Sequence, residues 1–192
     1  MSHFFAFLSR MKFIQRWGLM RNTTKENIQE HSLQVAMIAH GLAVIRNSCF
    51  DGKVDAARAA LLGMYHEVAE VFTGDMPTPV KYFNPQIKVV YKDIEDMART
   101  KMYDMLPGEL QAGFRNLLHK RAEDAALWEL VKAADKISAY LKCAEELKAG
   151  NREFAVASKM TGQELAENKL PEVKYFLEVF APSFSLSLDE LN

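Results

Sequence analysis

Cysteine is almost absent from this 192-residue chain: there are two, Cys49 and Cys143, and neither has a second cysteine at metal-ligand spacing. That excludes a disulfide framework and a cysteine-based zinc site. Both thiols lie in apolar, helix-like stretches and are expected to be buried, in a reducing compartment. Charge of one sign is also missing, since 24 Lys and Arg against 25 Asp and Glu give a formal net charge of -1. Such a balance carries no electrostatic footprint for a nucleic-acid polymer or an anionic membrane. No apolar run is long. The longest, Leu33 to Ile45, is interrupted by Gln34 and His40 and is shorter than the roughly 20 residues that span a bilayer. The first ten residues have no basic region ahead of their apolar side chains and no small-residue cleavage site. A soluble cytoplasmic protein is expected. Strand signals are scarce as well: no segment sustains apolar–polar alternation, and Asp51-Gly52 lies between helical patterns rather than between β-branched runs.

What is present is helical periodicity over nearly the whole length, with 49% hydrophobic residues to build a core. The pattern predicts a first helix capped by Ser2, with Phe4, Phe5, Leu8, Met11 and Ile14 on one face, ending near Trp17-Gly18. A second is expected over about 27–46 and a third over about 55–72. Thr73 to Pro79 reads as a loop, broken by Gly74 and two prolines. Pro85 opens a fourth helix to about 105, and a short one reaches about His119. A long helix runs from Asp124 to a stop at Gly150, and two more cover 152–168 and 171–180. With no repeat, linker or low-complexity tract, the whole chain, 1–192, is expected to be one all-α domain.

Against that apolar background His66-Glu67 stands out, within Leu-Leu-Gly-Met-Tyr-His-Glu-Val-Ala-Glu-Val. Ionisable groups are costly to bury unless paired or metal-bound. Glu70 follows about one helical turn later, and Asp75 sits just past the Thr73-Gly74 break. His31 opens the apolar part of the second helix, and Asp135 lies in the middle of the long one, with Val131 and Ala139 beside it. Taken singly, each has an ordinary explanation: a core-edge histidine, a helical Asp paired with Lys132 or Lys136, a turn-forming Asp, an Arg16-Trp17 helix end. Together, His31, His66, Glu67 and Asp135 are histidine and carboxylate donors on three helices, the kind of set that converges on one metal ion.

The order His…His-carboxylate…Asp resembles the HD-domain metal-dependent phosphohydrolases. Longer stretches are similar to bacterial 5'-deoxynucleotidases of the YfbR type: Arg16-Trp17, the segment from Glu26 through Glu30-His31-Ser32 to Ala36, Met64 to Val71, Thr73-Gly-Asp-Met-Pro-Thr-Pro-Val-Lys-Tyr-Phe-Asn84, Ala134-Asp135, and Pro182 to Glu190. The likeness covers essentially the whole chain. It implies an HD-type helical bundle that removes phosphate from deoxyribonucleoside 5'-monophosphates, with a divalent transition metal (Co, Mn or Zn) as cofactor, assembled as a homodimer. It implies His31, His66, Glu67 and Asp135 as metal ligands and Glu70 as the catalytic proton-transfer group. Arg16 is implied for the phosphate, Asp75 and the Trp17 wall for the sugar, and Thr78 and Lys81 for phosphate or sugar contact. The sequence departs from the family at one point, where Glu67 replaces the usual Asp and carries its oxygens one methylene further from the backbone. The competing expectation is therefore a degenerate HD domain that binds nucleotide with weak turnover or none. Retention of Arg16, Glu70 and Asp75, and of charge at position 67, favours activity.

Overall fold

A computed structural model describes residues 1–81 and 83–192; the side chains of Thr78 and Lys81 lie outside the described ones. The described chain is all-helical. Its helices are α1 (Phe4–Leu8), α2 (Ile28–Cys49), α3 (Ala56–Tyr65), α4 (Glu70–Thr73), α5 (Thr78–Lys81), α6 (Pro85–Asp104), α7 (Gly108–Leu118), α8 (Ala125–Lys148), α9 (Ala155–Ala166) and α10 (Pro171–Val179). One isolated antiparallel bridge, Gln15 with Asn27, is the β pairing among the described residues.

Several boundaries follow from local chemistry. Asn27 begins α2, its side-chain oxygen accepting from the backbone N–H of Gln29 and of Glu30 at 3.0 Å, as an N-cap should. Asn84 caps α6 in the same way through Ile87 N–H, with Pro85 in the first turn. Gly150, at φ +83°, ends α8. There Asn151 N–H bonds the Glu146 carbonyl and Gly150 N–H the Leu147 carbonyl, the pairing of a Schellman stop.

The packing forms two compact units. The first comprises Met1–Arg21, Lys25–Leu33 and Met64–Asp124. Its core is Phe4, Val68, Met102, Leu106 and Leu118, with Phe7, Phe72 and Phe114 packed against them. The second comprises Asn22–Thr24, Gln34–Gly63 and Ala125–Asn192. There α8 packs against α9, and Leu130, Ile137, Leu141 and Phe154 are fully or almost fully buried. Each such side chain contributes about 1.5–3 kcal/mol by leaving water. The carboxylate of Glu146, 1% exposed, accepts hydrogen bonds from Lys142, Asn151 and the Thr23 hydroxyl and backbone. Burial alone would raise its pKa; these donors together outweigh that and hold it well below the usual carboxylate range.

The structure corrects the sequence expectations in places. The first helix stops at Leu8, tightens into a 3₁₀ segment over Ser9–Phe13 and gives way to extended backbone at Ile14. Residues 14–16 instead pair with 26–28, through Ile28 N–H to the Ile14 carbonyl at 3.0 Å and Arg16 N–H to the Glu26 carbonyl at 2.9 Å. Phe5 faces solvent, because a helix this short buries Phe4 and cannot bury its neighbour. Cys49 is exposed, as the last residue of α2, while Cys143 is buried. A one-turn helix, α5, begins inside the expected 73–79 loop, with Pro79 in its first turn, where a missing N–H costs no helical bond. Near the C-terminus Phe176 is buried, its ring tilted beside that of Phe180 with centroids 5.4 Å apart.

Candidate metal centre

The third helix does not run on to Phe72. It ends at Tyr65, and His66–Ala69 form a tightened turn before α4. Backbone bonds three residues apart mark it: Val68 to Tyr65 at 3.2 Å, Glu70 to Glu67 at 2.9 Å, Phe72 to Ala69 at 3.1 Å. The Arg99 guanidinium of α6 donates to the His66 carbonyl at 3.5 Å and is itself held near Asp96 and Glu95. In such a turn residues i and i+3 eclipse, so Glu67 and Glu70 come to lie one above the other.

Ligand atoms of His31, His66 and Glu67 all lie within 4.8 Å of one another. The His31 and His66 ring centroids are 5.3 Å apart, and His66 Nε2 lies 3.4 Å from Glu67 Oε1. His31 is fully buried and His66 9% exposed. Two imidazoles and a carboxylate form a mixed N/O donor set suited to a borderline divalent ion. Metal bonds of about 2.0–2.2 Å place donor pairs at most about 4.4 Å apart, so the trio fits a single ion after small side-chain adjustments.

Negative charge accumulates around the trio. Burial, then the Glu67 and Asp75 carboxylates, push the Glu70 carboxyl up to about 10, and Arg16 pulls the other way. Closely spaced carboxylates cannot all ionise without a compensating cation, which is what a bound divalent metal supplies.

Arg16 and Trp17 stand where the extended segment crosses Glu26. Glu26 Oε2 accepts from Arg16 Nη1 at 2.7 Å and from the Trp17 indole N–H at 2.9 Å. Its Oε1 faces His31 Nδ1 at 3.9 Å. Trp17 has φ +60°, the left-handed region that a bulky residue adopts only when its surroundings hold it there.

Of the residues singled out in sequence, the first unit brings together His31, His66, Glu67 and Glu70, with Arg16 and Asp75 acting electrostatically on Glu70. Trp17 joins them through Glu26. Asp135 is carried by α8 of the second unit, half-buried. Thr78 and Lys81 lie outside the described side chains. Sequence reasoning missed Glu26 and Arg99: an acidic residue in a polar connector and an arginine on an exposed-looking helix carry no periodic or spacing signal.

Comparison with known proteins places the chain in a defined group. A family model described as 5'-deoxynucleotidase YfbR-like matches residues 3–184. A 5'-deoxynucleotidase of Vibrio vulnificus is 56% identical over 191 residues, covering 100% of this chain and 98% of the relative. One from Yersinia pestis is 56% identical over 192 residues, with the same coverage. Among solved structures, an HD-domain phosphohydrolase from Listeria innocua superposes with a TM-score of 0.82 at 22% identity, over 95% of this chain and 88% of the other. The HD phosphohydrolase of cyanophage S-2L, bound to dA and one catalytic zinc ion, gives 0.64 at 20% identity, over 93% and 96%.

Proposed function

The chain belongs to the YfbR-like 5'-deoxynucleotidase family of HD-domain phosphohydrolases, and from that premise we propose that His31, His66, Glu67 and Asp135 hold one divalent transition-metal ion. The enzyme is a 5'-deoxynucleotidase; its substrates are deoxyribonucleoside 5'-monophosphates. The observation that carries the metal assignment is the His31–His66–Glu67 trio, within 4.8 Å of one another, with His31 from α2 and the adjacent His66 and Glu67 from the turn after α3. Asp135 completes the set on the family order of ligands. Co, Mn or Zn suits these donors better than Mg or Ca, and the zinc in the cyanophage relative agrees.

When bound, the ion acts as a Lewis acid and lowers the pKa of water within its reach. The protein's own groups do the rest. Water adds to phosphorus and the P–O5' bond breaks, releasing inorganic phosphate and a nucleoside with a free 5'-hydroxyl. Arg16 offers a forked cation to the phosphate oxygens. Glu70, against Glu67 and near Asp75, is the carboxyl that passes a proton to or from water and the departing 5'-oxygen. Asp75 accepts from the sugar hydroxyl, and the Trp17 indole forms a wall against C2'. Apolar contact alone rejects an added hydroxyl by about 100-fold, so a wall fixed by Glu26 sets the selectivity. Thr78 and Lys81 are proposed for phosphate or sugar contact. The proposed assembly is a homodimer, supported by apolar side chains left in solvent by α10 and the segment after it, among them Val179, Phe180 and Leu188; sedimentation equilibrium checks it.

The test is phosphate release from dAMP, dTMP, AMP and a 3'-monophosphate, with Co²⁺, Mn²⁺ or a chelator, by the native chain and by Glu67→Asp. Metal-dependent release from the 5'-deoxynucleotides by the native chain is expected. Release only by Glu67→Asp contradicts Glu67 as a competent ligand, and equal background throughout contradicts the enzyme.

A further inference from the structure

We propose that Glu26 is a positioning residue that couples the ligand His31 to the substrate-facing pair Arg16 and Trp17, an inference that rests on His31 being a metal ligand. One side chain, 12% exposed, serves three others. Its Oε2 accepts from Arg16 Nη1 at 2.7 Å and from Trp17 Nε1 at 2.9 Å. Its Oε1 stands 3.9 Å from His31 Nδ1. The backbone repeats the connection, since the Glu26 carbonyl accepts from Arg16 N–H at 2.9 Å.

Each contact has a defined consequence. At 3.9 Å, beyond hydrogen-bond length, the Glu26 charge acts on His31 electrostatically and favours the tautomer with the proton on Nδ1 and the lone pair on Nε2. Glu26 engages Arg16 through Nη1, one nitrogen of a guanidinium with five N–H donors, and so anchors the head of that side chain. The indole bond and the Arg16 backbone bond together pin Trp17 at φ +60°, a conformation that the residue does not keep without restraint. Metal affinity, phosphate placement and the sugar wall thus share one carboxylate.

The experiment compares the native chain with Glu26→Gln and Glu26→Ala. Gln keeps the size and an oxygen for the indole while removing the charge opposite Arg16 and His31. Co²⁺ affinity is measured on chelator-stripped protein by competition with a chromophoric chelator, which needs no turnover. Steady-state kinetics on dAMP and AMP follow. Co²⁺ affinity is expected to fall on the order of ten-fold in Glu26→Gln and up to about 100-fold in Glu26→Ala. KM for dAMP should rise more than kcat falls, and the dAMP-over-AMP ratio should narrow several-fold. Native Co²⁺ affinity in either variant, or a native dAMP-over-AMP ratio in both, overturns the coupling. Should Glu26→Ala fail to fold, Glu26→Gln carries the comparison. If the native chain releases no phosphate from dAMP, the nucleotidase reading fails, and the Co²⁺ affinities still decide whether Glu26 supports His31.

Discussion

The rings of His31 and His66 stand 5.3 Å apart with their planes inclined by 52°, one from the first turn of α2 and the other from the turn that follows α3. Two imidazoles meeting inside an apolar unit are the arrangement that the proposed shared ion would hold together. His66→Ala should therefore abolish one-site Co²⁺ binding and lower phosphate release by more than about 100-fold, the upper range for losing an outer-shell partner alone. Circular dichroism and metal titration on the same sample check that the helices persist while the ion is lost.

Trp17 combines a strained backbone with a proposed selectivity role. A left-handed conformation costs an L residue roughly 1–2 kcal/mol, and glycine removes that cost. Trp17→Gly is expected to stay within about 1 kcal/mol of native stability, because relief of strain offsets the lost indole bond to Glu26. Its preference for dAMP over AMP should shrink by about 10- to 100-fold. Parallel denaturation and kinetics on the two nucleotides measure both.

Much of this was legible in the sequence, for physical reasons. Asn27, Pro85 and Gly150 announce helix ends through capping, a locked φ and a left-handed stop, all of which act within one turn of chain. His31, His66 and Glu67 stood out because polar groups on apolar helices need a partner. The break at His66–Ala69 was not legible: its sequence has no Pro or Gly, and Arg99, which donates to the His66 carbonyl, is distant along the chain. Glu26 escaped for a similar reason, since its partners Arg16, Trp17 and His31 meet it only in the folded unit. The first helix was overextended because Met11 and Ile14 keep helical spacing although the backbone at Ile14 is extended.

Gly63 lies inside α3 against α2. A β-carbon there would stand 2.9 Å from Ala36 Cα and 3.1 Å from Ala36 N, both backbone atoms. Gly63→Ala should destabilise the protein by about 1–2 kcal/mol, the overpacking cost exceeding the roughly 1 kcal/mol gain in helix propensity. Urea denaturation should show a lower midpoint with an unchanged slope.

Glu146 gives a pH dependence of stability. Its folded pKa lies below the ordinary carboxylate value, so its contribution is complete above the unfolded pKa of about 4.3 and fades as pH falls toward the folded value. Near neutral pH, Glu146→Gln should cost about 3–5 kcal/mol, because buried Lys142 loses its counter-charge. Below about pH 4 the difference between native and variant should shrink by up to about 1.4 kcal/mol per pH unit. Urea denaturation of both proteins from pH 7 to pH 2.5 follows it; a difference that grows on acidification contradicts the assignment.

The central claim is that one ion, held by His31, His66 and Glu67 with Asp135, makes this chain a deoxynucleotidase. The most direct measurement titrates Co²⁺ into chelator-stripped protein while following bound metal and phosphate release from dAMP in the same samples. The account predicts that release rises in proportion to bound metal and saturates at about one ion per chain. Full release from metal-free protein, or saturation of binding with no release, would contradict it.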